Sequence, residues 1–337
     1  MIRVGYLACT QDPPSGANMA RVIDETIAEA QMAEASGWDS CFISEHHQQA
    51  DGYLPNPLLM AGLIGMRTQR LTVGTSVLLL PLYQPVHVAE DCAVIDLATQ
   101  GRLILGVGVG YQEPDFAAFE VPIAERATRT EEALAILRHC WSGQRFSFSG
   151  THFHYHDTLI TPVPFQRPGP PVWMAAASPA GLRRAARLAD GWLADPIQSL
   201  PIVKGNASRY RAAAAQAGRP PFICLMRDAV IANSMPEAEA ASGPTMYMHR
   251  FYFQYGAYVP DEYLQDVTRP EDLSFAKAAK DRLIVGSADD CLAQLQRWQA
   301  EIQPDYLIIR FRQPGGPTHQ KTLEAIRVFG EQVIPKL

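Results

Sequence analysis

The sequence has few of the features that mark secreted, membrane or nucleic-acid-binding proteins. Its six cysteines lie far apart and form no Cys-x-x-Cys pair, which argues against a disulfide framework and fits a reducing cytoplasm. Lys and Arg form no run and the net charge is −6, so a nucleic acid is not expected as a partner. The most apolar stretch, Val77–Leu82, is broken by Pro81 and is far too short to cross a bilayer. We therefore expect a cytoplasmic protein with no membrane or nucleic-acid partner.

Several catalytic signatures are also missing. The sequence contains no Gly-x-Ser-x-Gly elbow, no His-Glu-x-x-His helix and no Gly-Lys-Ser/Thr loop, which argues against the hydrolases and nucleoside triphosphatases that use them. The run 106–110 has three alternating glycines, but Tyr111 stands where the dinucleotide fingerprint needs a further glycine. A composition of 47% hydrophobic and 19% charged residues indicates a globular chain with a sizeable core.

Short aliphatic runs alternate with helical patterns along most of the chain. Eight strand-and-helix units in 337 residues predict one (β/α)8 barrel domain over residues 1–337. An open doubly wound sheet is the alternative, because the run at 191–194 is short. Two segments depart from the alternation: Phe146–Tyr155 reads as a hairpin insertion, and Pro236–Lys280 is helical, irregular and rich in aromatic residues. The predicted strands are Ile2–Leu7, Ser40–Ser44, Leu71–Leu80, Leu103–Val107, Val172–Ala176, Gly191–Ala194, Phe222–Ile231 and Tyr306–Phe311.

A barrel carries its active site at the carboxyl ends of the strands, so residues just after each strand are the candidates. His46 and His47 follow the second strand, and histidine exchanges protons near neutral pH. Ser178 follows the fifth strand and is suited to cap a helix. The start of that helix is either an anion site or simply a well-capped end. The glycines at 106–110 allow close approach of a ligand, or tight packing at the rim.

Two arginines end the last predicted strand. The alternation of residues predicts that Arg310 and Arg312 both point into the barrel, where a charge must be paired or solvated. We expect Arg312 to bind substrate and Arg310 to form a structural ion pair. His152, His154 and His156 alternate along the hairpin and are expected to share one solvated face. No carboxylate or thiolate partner is placed near them, so no metal is expected.

Taken in order, these motifs resemble the bacterial luciferase-like flavin-dependent monooxygenases over nearly the whole chain. The resemblance rests on segments that are each modest but that occur together in register. They are Gly37-Trp38-Asp39, Ser44-Glu45-His46-His47, Val73-Gly74-Thr75, Leu80-Pro81, Pro85-Val86, Glu90-Asp91, Gly101-Arg102-Leu103, Gly106-Val107-Gly108, Pro170-Pro171-Val172-Trp173, Ala177-Ser178 and Val333-Ile334-Pro335.

The resemblance implies a (β/α)8 barrel that binds reduced flavin at its carboxyl end, with residues 236–280 as a mobile flap, and frequently a homodimer. It implies that His46 is catalytic and that Ser76-Val77 forms a non-proline cis peptide beneath the flavin ring. The cofactor would contact Ser76, Val77, Gly108, Val109, Gly110, Ala177 and Ser178, the last two at its phosphate. From their positions after the second and last strands, we expect His47 and Arg312 to contact the substrate.

One departure from the family pattern concerns the cofactor. Many users of flavin mononucleotide (FMN) carry an arginine where this chain has Val109, which leaves the deazaflavin F420 as an alternative. The Glu45-His46-His47 form and the lack of a basic groove for the acidic tail of F420 favour FMN. We expect a two-component monooxygenase that takes reduced FMN from a separate flavin reductase and uses O2 to oxidise a small organic substrate. The alternatives are F420-dependent hydride transfer, flavin binding without catalysis, and metal-dependent hydrolysis by His46, His47 and the hairpin histidines.

Overall fold

The computed structural model describes residues 2–259 and 261–337, in which twelve strands and twelve α-helices occur. The strands are β1 (Arg3–Leu7), β2 (Ser40–Ile43), β3 (Thr72–Thr75), β4 (Leu78–Leu79), β5 (Leu103–Gly108), β6 (Phe146–Ser149), β7 (His154–Thr158), β8 (Val172–Ala175), β9 (Gly191–Ala194), β10 (Ile223–Ile231), β11 (Ile284–Gly286) and β12 (Tyr306–Arg310). The helices are α1 (Met19–Ala35), α2 (Pro57–Gly65), α3 (Pro85–Ala98), α4 (Glu113–Ala118), α5 (Arg126–Trp141), α6 (Pro179–Leu188), α7 (Leu200–Gln216), α8 (Met235–Ala241), α9 (Gly243–Gln254), α10 (Phe275–Ala279), α11 (Ala288–Ile302) and α12 (His319–Gln332).

Eight parallel strands form a closed barrel, in the order β1, β2, β3, β5, β8, β9, β10 and β12. Closure is complete because β10 pairs with both β9 and β12, and β12 pairs with β1. The predicted (β/α)8 barrel is therefore confirmed, and the open sheet is excluded. Within residues 2–259 and 261–337, no helix is both long enough and apolar enough to span a membrane.

Aromatic rings fill the barrel interior. Phe42 lies 5.7 Å from Trp173, and Trp173 lies 4.9 Å from Tyr306, measured between ring centroids. The strands make room for these rings with glycine: a Cβ atom added at Gly74 would lie 2.8 Å from the Phe42 ring. The interior is thus a packed core, and the described residues leave a cavity at the carboxyl end of the strands.

The predicted third strand is divided, and α4, β11 and α11 were not predicted. The Ser76-Val77 peptide is cis and separates β3 from β4, which pairs with β5. Strand β11 and helix α11 follow the flap. Strand β11 pairs with β10 and extends the sheet outside the barrel. It was not predicted because eight strands already complete a (β/α)8 barrel without it. Ser287 and Asp290 form a capping box at the start of α11, a signal that was present in the sequence.

The hairpin is confirmed, and α5 holds its turn. The Glu132 carboxylate of α5 accepts hydrogen bonds from the backbone N–H groups of residues 151, 152 and 153 at 2.7, 3.0 and 3.2 Å. The prediction that three histidines share one strand face is wrong for His152, because it precedes β7 and contacts the Thr128 hydroxyl at 2.8 Å. His154 and His156 are exposed. Among the described residues, metal-like spacing of three ligands occurs at Glu25, Glu29 and His319, away from the hairpin.

The predicted flap segment forms helices α8, α9 and α10 with a small core of its own. Met246, Tyr258, Leu264 and Leu273 pack together in this core with Ile197 of the barrel. The segment lies over the carboxyl end of the barrel. The barrel thus acquires a cover built from aromatic and aliphatic side chains.

Candidate active site

A cavity of about 440 Å³ opens at the carboxyl end of the barrel. Each of the eight barrel strands, or the loop directly after it, contributes to its lining, and Tyr252 and Tyr255 of the flap segment contribute from above. This volume is in the range of small-molecule sites. A second cavity, of about 520 Å³, lies outside the barrel between β10, α8 and α12. The first cavity is the candidate active site, because it alone of these two lies over the strand ends.

His46 lines the cavity and is paired with a buried carboxylate. The Asp115 side chain, 1% exposed, lies on α4 with its Oδ2 3.2 Å from His46 Nδ1. Gln112 Nε2 is also 3.2 Å from Nδ1. The other ring nitrogen of His46, Nε2, has no hydrogen-bond partner among the described residues. A carboxylate on one imidazole nitrogen fixes the ring orientation and leaves the other nitrogen free for a ligand.

His47 does not reach the cavity, which corrects the expectation that it binds substrate. Its Nε2 lies 2.6 Å from Glu45 Oε1, and its ring packs against Phe119 at 4.6 Å between centroids. Glu45 also accepts hydrogen bonds from the Leu79 N–H at 2.7 Å and the Tyr83 hydroxyl at 2.8 Å. His47 thus satisfies a buried carboxylate that ties the end of β2 to β4, and its role is structural.

Small residues and backbone form another part of the wall. Ser76, Val77, Gly108, Val109 and Gly110, which the family resemblance implies as cofactor contacts, all line the cavity. The cis Ser76-Val77 peptide lies against the end of β5, where a Cβ atom added at Gly108 would be 2.6 Å from the Val77 side chain. Only glycine leaves space there for so close an approach.

Helix α6 begins beside this wall. Ala177 lines the cavity, and the Ser178 hydroxyl caps the helix by accepting a hydrogen bond from the Gly181 N–H at 3.1 Å. Ser178 itself is exposed next to the cavity rather than part of its lining. Asn206 of α7 donates to the Ala177 carbonyl at 3.5 Å and accepts from Arg209 at 3.0 Å. Helix N–H groups, a hydroxyl and a nearby guanidinium are a set of donors that suits an anion.

The two arginines at the end of β12 both form buried ion pairs. Arg312 donates to Glu29 at 2.7 Å and to Glu25 at 2.8 Å, both on α1, and does not line the cavity. The prediction that it faces the interior is wrong, because β12 ends at Arg310 and the strand alternation does not extend further. The structural ion pair expected for Arg310 is confirmed with Asp228 of β10. Arg310 also lines the cavity.

Tyrosine hydroxyls and a carboxyl group complete the polar lining. The rings of Tyr53 and Tyr111 meet the His46 ring edge-on, at 5.0 and 5.7 Å between centroids. Burial raises the pKa of both tyrosines, so their hydroxyls remain protonated at neutral pH. Burial also raises the pKa of the Asp195 carboxyl, against the opposing charge of Arg227.

The sequence did not reveal the site residues whose contact partners lie far away in the sequence. Asp115 follows Gln112-Glu113-Pro114, and an early proline with acidic neighbours is a helix-start signal that could have drawn attention to α4. No local signal indicated that Asp228 faces Arg310 or that Tyr53 packs on His46. Those contacts depend on which strands become neighbours.

Comparison with known proteins agrees with this geometry. The family model for luciferase-like monooxygenases matches residues 2–302. The chain is 29% identical over 325 residues to the uncharacterized protein y4vJ of Sinorhizobium fredii, which covers 94% of this chain and 92% of that protein. It is 36% identical over 168 residues to an F420-dependent glucose-6-phosphate dehydrogenase of Microbacterium testaceum, a match that spans 48% of this chain and 49% of that enzyme.

A solved structure shows the same fold. The oxygenating constituent of 3,6-diketocamphane monooxygenase from Pseudomonas putida, in complex with FMN, superimposes with a TM-score of 0.85 at 19% identity, covering 100% of this chain and 99% of that one. Similar proteins thus include both an FMN-bound monooxygenase and an F420-dependent dehydrogenase. Since the family match extends over most of the barrel, this chain belongs to the luciferase-like monooxygenase family and is an oxidoreductase.

Proposed function

We propose that this protein is the oxygenase of a two-component system, which receives reduced FMN from a separate flavin reductase and uses O2 to oxidise a small organic substrate. The observation that carries the proposal is the single cavity that joins the His46–Asp115 pair to the start of α6. One side offers a positioned imidazole, and the other offers donors for a phosphate.

The residues present fit FMN. The wall of Ser76, Val77 and Gly108 lets a flat ring lie close to backbone, which bulky side chains would prevent. Ser178 and the first N–H groups of α6 would hold the phosphate, with Arg209 supplying the positive charge that Val109 cannot. Reduced flavin would supply the electrons that activate O2.

His46 would hold and move a proton at its Nε2 atom. Asp115 would accept a hydrogen bond from Nδ1 and fix the ring, which would leave Nε2 as an acceptor for a ligand in the cavity. The flap tyrosines Tyr252 and Tyr255 would exclude water from the space above.

The charge of the cavity favours FMN over F420. Among the described residues, Arg310 is the one Arg or Lys in the lining, and Asp228 already neutralises it. The several carboxylates of an F420 tail need a basic surface, whereas a single FMN phosphate needs a helix start and one cation. Hydride transfer from reduced F420 is the second candidate. It is supported by the F420-dependent relative and by the valine at position 109, where many FMN users have an arginine.

The experiment compares the two cofactors directly. Oxidised and reduced FMN, riboflavin and F420 are titrated anaerobically into the protein, and a panel of small substrates is then incubated with reduced FMN and isotopically labelled O2. We expect FMN to bind more tightly than riboflavin and one labelled oxygen atom to enter a product. Oxidation of a substrate by F420, with no label incorporated, would replace this proposal by the second candidate.

We further propose that the protein forms a homodimer through α2 and α3. Leu59 and Leu63 of α2 and Met66, directly after it, are 61, 43 and 64% exposed, and Val94 of α3, which lines the same surface groove, is 56% exposed. A contiguous apolar face of this kind is typical of an interface. Light scattering should give twice the chain mass, and Leu59→Glu with Val94→Glu should give the monomer.

A further inference from the structure

The Gln198 side chain joins the loop after β9 to the flap segment. It is 2% exposed, although it lines the cavity. Its Nε2 donates a hydrogen bond to the Ala257 carbonyl at 2.9 Å, and its Oε1 accepts one from the Val259 N–H at 3.0 Å. This is the pair of bonds that one residue of a strand makes with its neighbour in a parallel sheet. Both bonds reach the flap backbone, so they fix the position of the chain itself rather than that of one side chain.

The loop that carries Gln198 is held firmly on the barrel side. Asp195 Oδ1 accepts hydrogen bonds from the Ile197 and Gln198 N–H groups at 3.0 and 3.2 Å. Beneath the loop, the fully buried Arg227 places its Nη1 atom 2.8 to 3.3 Å from three of the loop's carbonyl oxygens. Arg282, also fully buried, donates to the Ile197 carbonyl at 3.1 Å. The base of the contact is therefore rigid, and movement between the two partners must come from the flap.

On the flap side, the contact lies directly after α9. Gly256 has a φ of 67°, and the N–H groups of Gly256 and Ala257 return to α9 carbonyls at 3.0 Å each, as in a Schellman motif. The Ala257 carbonyl is thus fixed relative to the last turn of α9, which carries Tyr252 and is followed by Tyr255. Both tyrosines line the cavity, and neither hydroxyl has a hydrogen-bond partner among residues 2–259 and 261–337. Their place over the cavity therefore depends on the backbone that Gln198 holds.

The middle of α9 has separate anchors. His249 Nε2 lies 3.1 Å from Asp228 Oδ2 of β10, and His249 Nδ1 is hydrogen-bonded to the Tyr258 hydroxyl. The Tyr258 ring is also part of the flap core. Loss of the Gln198 bonds would leave these contacts in place. It would release the end of α9 from the barrel without unfolding the flap segment.

We propose that Gln198 is the latch of the flap: its amide holds the end of α9 down, so that Tyr252 and Tyr255 close the cavity over a bound ligand. The inference rests on the proposed function, because a closed cavity is what would keep water away from a reduced cofactor. Gln198 is a positioning residue, since it acts on the ligand through the two tyrosines.

The first test uses the protein without cofactor. In Gln198→Met the side chain keeps its length but loses both hydrogen bonds. Hydrogen–deuterium exchange, followed by mass spectrometry, should become about tenfold faster over residues 255–259. Exchange over α8 should stay unchanged, which shows that the flap segment of the variant is folded.

Gln294→Met is the matched control for this measurement. The Gln294 amide makes the same kind of double contact with a backbone, since it accepts from the Val285 N–H at 3.1 Å and donates to the Val285 carbonyl at 2.6 Å. Gln294 lies outside the cavity lining. Its substitution should speed exchange in β11 and leave residues 255–259 as they are in the wild type.

A second variant breaks the latch from the flap side. Val259→Pro removes the N–H that donates to Gln198 Oε1, and Val259 does not line the cavity. In stopped-flow measurements, FMN should dissociate about tenfold faster from Gln198→Met and about threefold faster from Val259→Pro than from the wild type or Gln294→Met. Faster dissociation in both variants would show that the latch retains the ligand, because only Gln198→Met changes the lining.

Three results would overturn the inference. They are unchanged exchange over residues 255–259 in Gln198→Met, FMN dissociation at the wild-type rate from Val259→Pro, and faster exchange that extends over α8. The last would mean that Gln198 supports the folding of the flap segment rather than its position. Failure of FMN to bind the wild type would overturn the proposed function, whereas the exchange measurement would still decide whether Gln198 holds the flap.

Discussion

The two sides of the cavity are built in different ways. On the His46 side, charged groups from distant parts of the chain meet: His46 and Asp115 are 69 residues apart, and Asp228 and Arg310 are 82 apart. On the α6 side, the main contact joins Ser178 to Gly181, three residues later, and the wall is glycine, alanine and backbone. The first side depends on the closure of the barrel, whereas the second is nearly complete in the local sequence.

This difference separates two tasks. Backbone N–H groups at a helix start bind a phosphate whatever the rest of the ligand is. Side chains fixed by buried partners can distinguish one substrate and one proton position from another. Changes on the His46 side should therefore alter stability and chemistry strongly, and changes on the α6 side should alter cofactor affinity moderately.

The largest effect is expected from removing Asp228. In Asp228→Ala, buried Arg310 and His249 lose the carboxylate that pairs with both. Removing one partner of a buried ion pair typically costs about 3–5 kcal/mol. Urea denaturation should show this loss in the free energy of unfolding. Asp157→Ala is the matched control, because its pair with Arg145 lies on the exposed hairpin; it should change stability by less than about 1 kcal/mol. Equal effects of the two changes would show that the Asp228 network contributes little.

The next largest effect concerns His46. His46→Ala removes the group that would hold a proton at Nε2, and general acid–base groups typically contribute at least about 100-fold to turnover. We expect product formation from the best substrate of the labelled-oxygen panel to fall by about that factor, with FMN affinity within about twofold of wild type. His156→Ala, on the exposed hairpin, should have no effect. Retained product formation in His46→Ala would remove His46 from the mechanism.

The same contrast explains what could be predicted from the sequence. The barrel, the hairpin and the Ser178 cap follow from periodicity, turn residues and caps within a few positions, whereas the wall at Ser76 and Val77 was expected only from the resemblance to the family. Arg312 was misplaced because a strand's last residue cannot be located to within two positions from its pattern. Asp115, Asp228 and Tyr53 were not predicted because their partners lie on other units of the barrel. Which units become neighbours is fixed only when the barrel closes.

Val109 offers a way to strengthen the α6 side. Its loop follows β5, which pairs with β8, so a long side chain at this position can reach the start of α6. Val109→Arg should raise FMN affinity about tenfold through a charged hydrogen bond to the phosphate. Riboflavin, which lacks the phosphate, should bind Val109→Arg with the same affinity as the wild type. Val109→Leu should raise the affinity for neither FMN nor riboflavin. A gain for riboflavin as large as that for FMN would mean that the arginine contacts the ring and that the phosphate lies elsewhere.

The smallest effect is expected from Ser178→Ala. The change removes the cap on α6 and a hydroxyl beside the proposed phosphate site, while the backbone N–H groups remain. Loss of a serine cap typically costs about 1 kcal/mol of stability, and FMN affinity should fall by about three- to fivefold with riboflavin affinity unchanged. Ser287→Ala removes the cap of α11, which lies outside the cavity lining, and should cost similar stability without changing FMN affinity. Urea denaturation and FMN titration of both variants separate the two roles of Ser178. If Ser178 only caps the helix, Ser178→Ala should lower stability and leave FMN affinity unchanged.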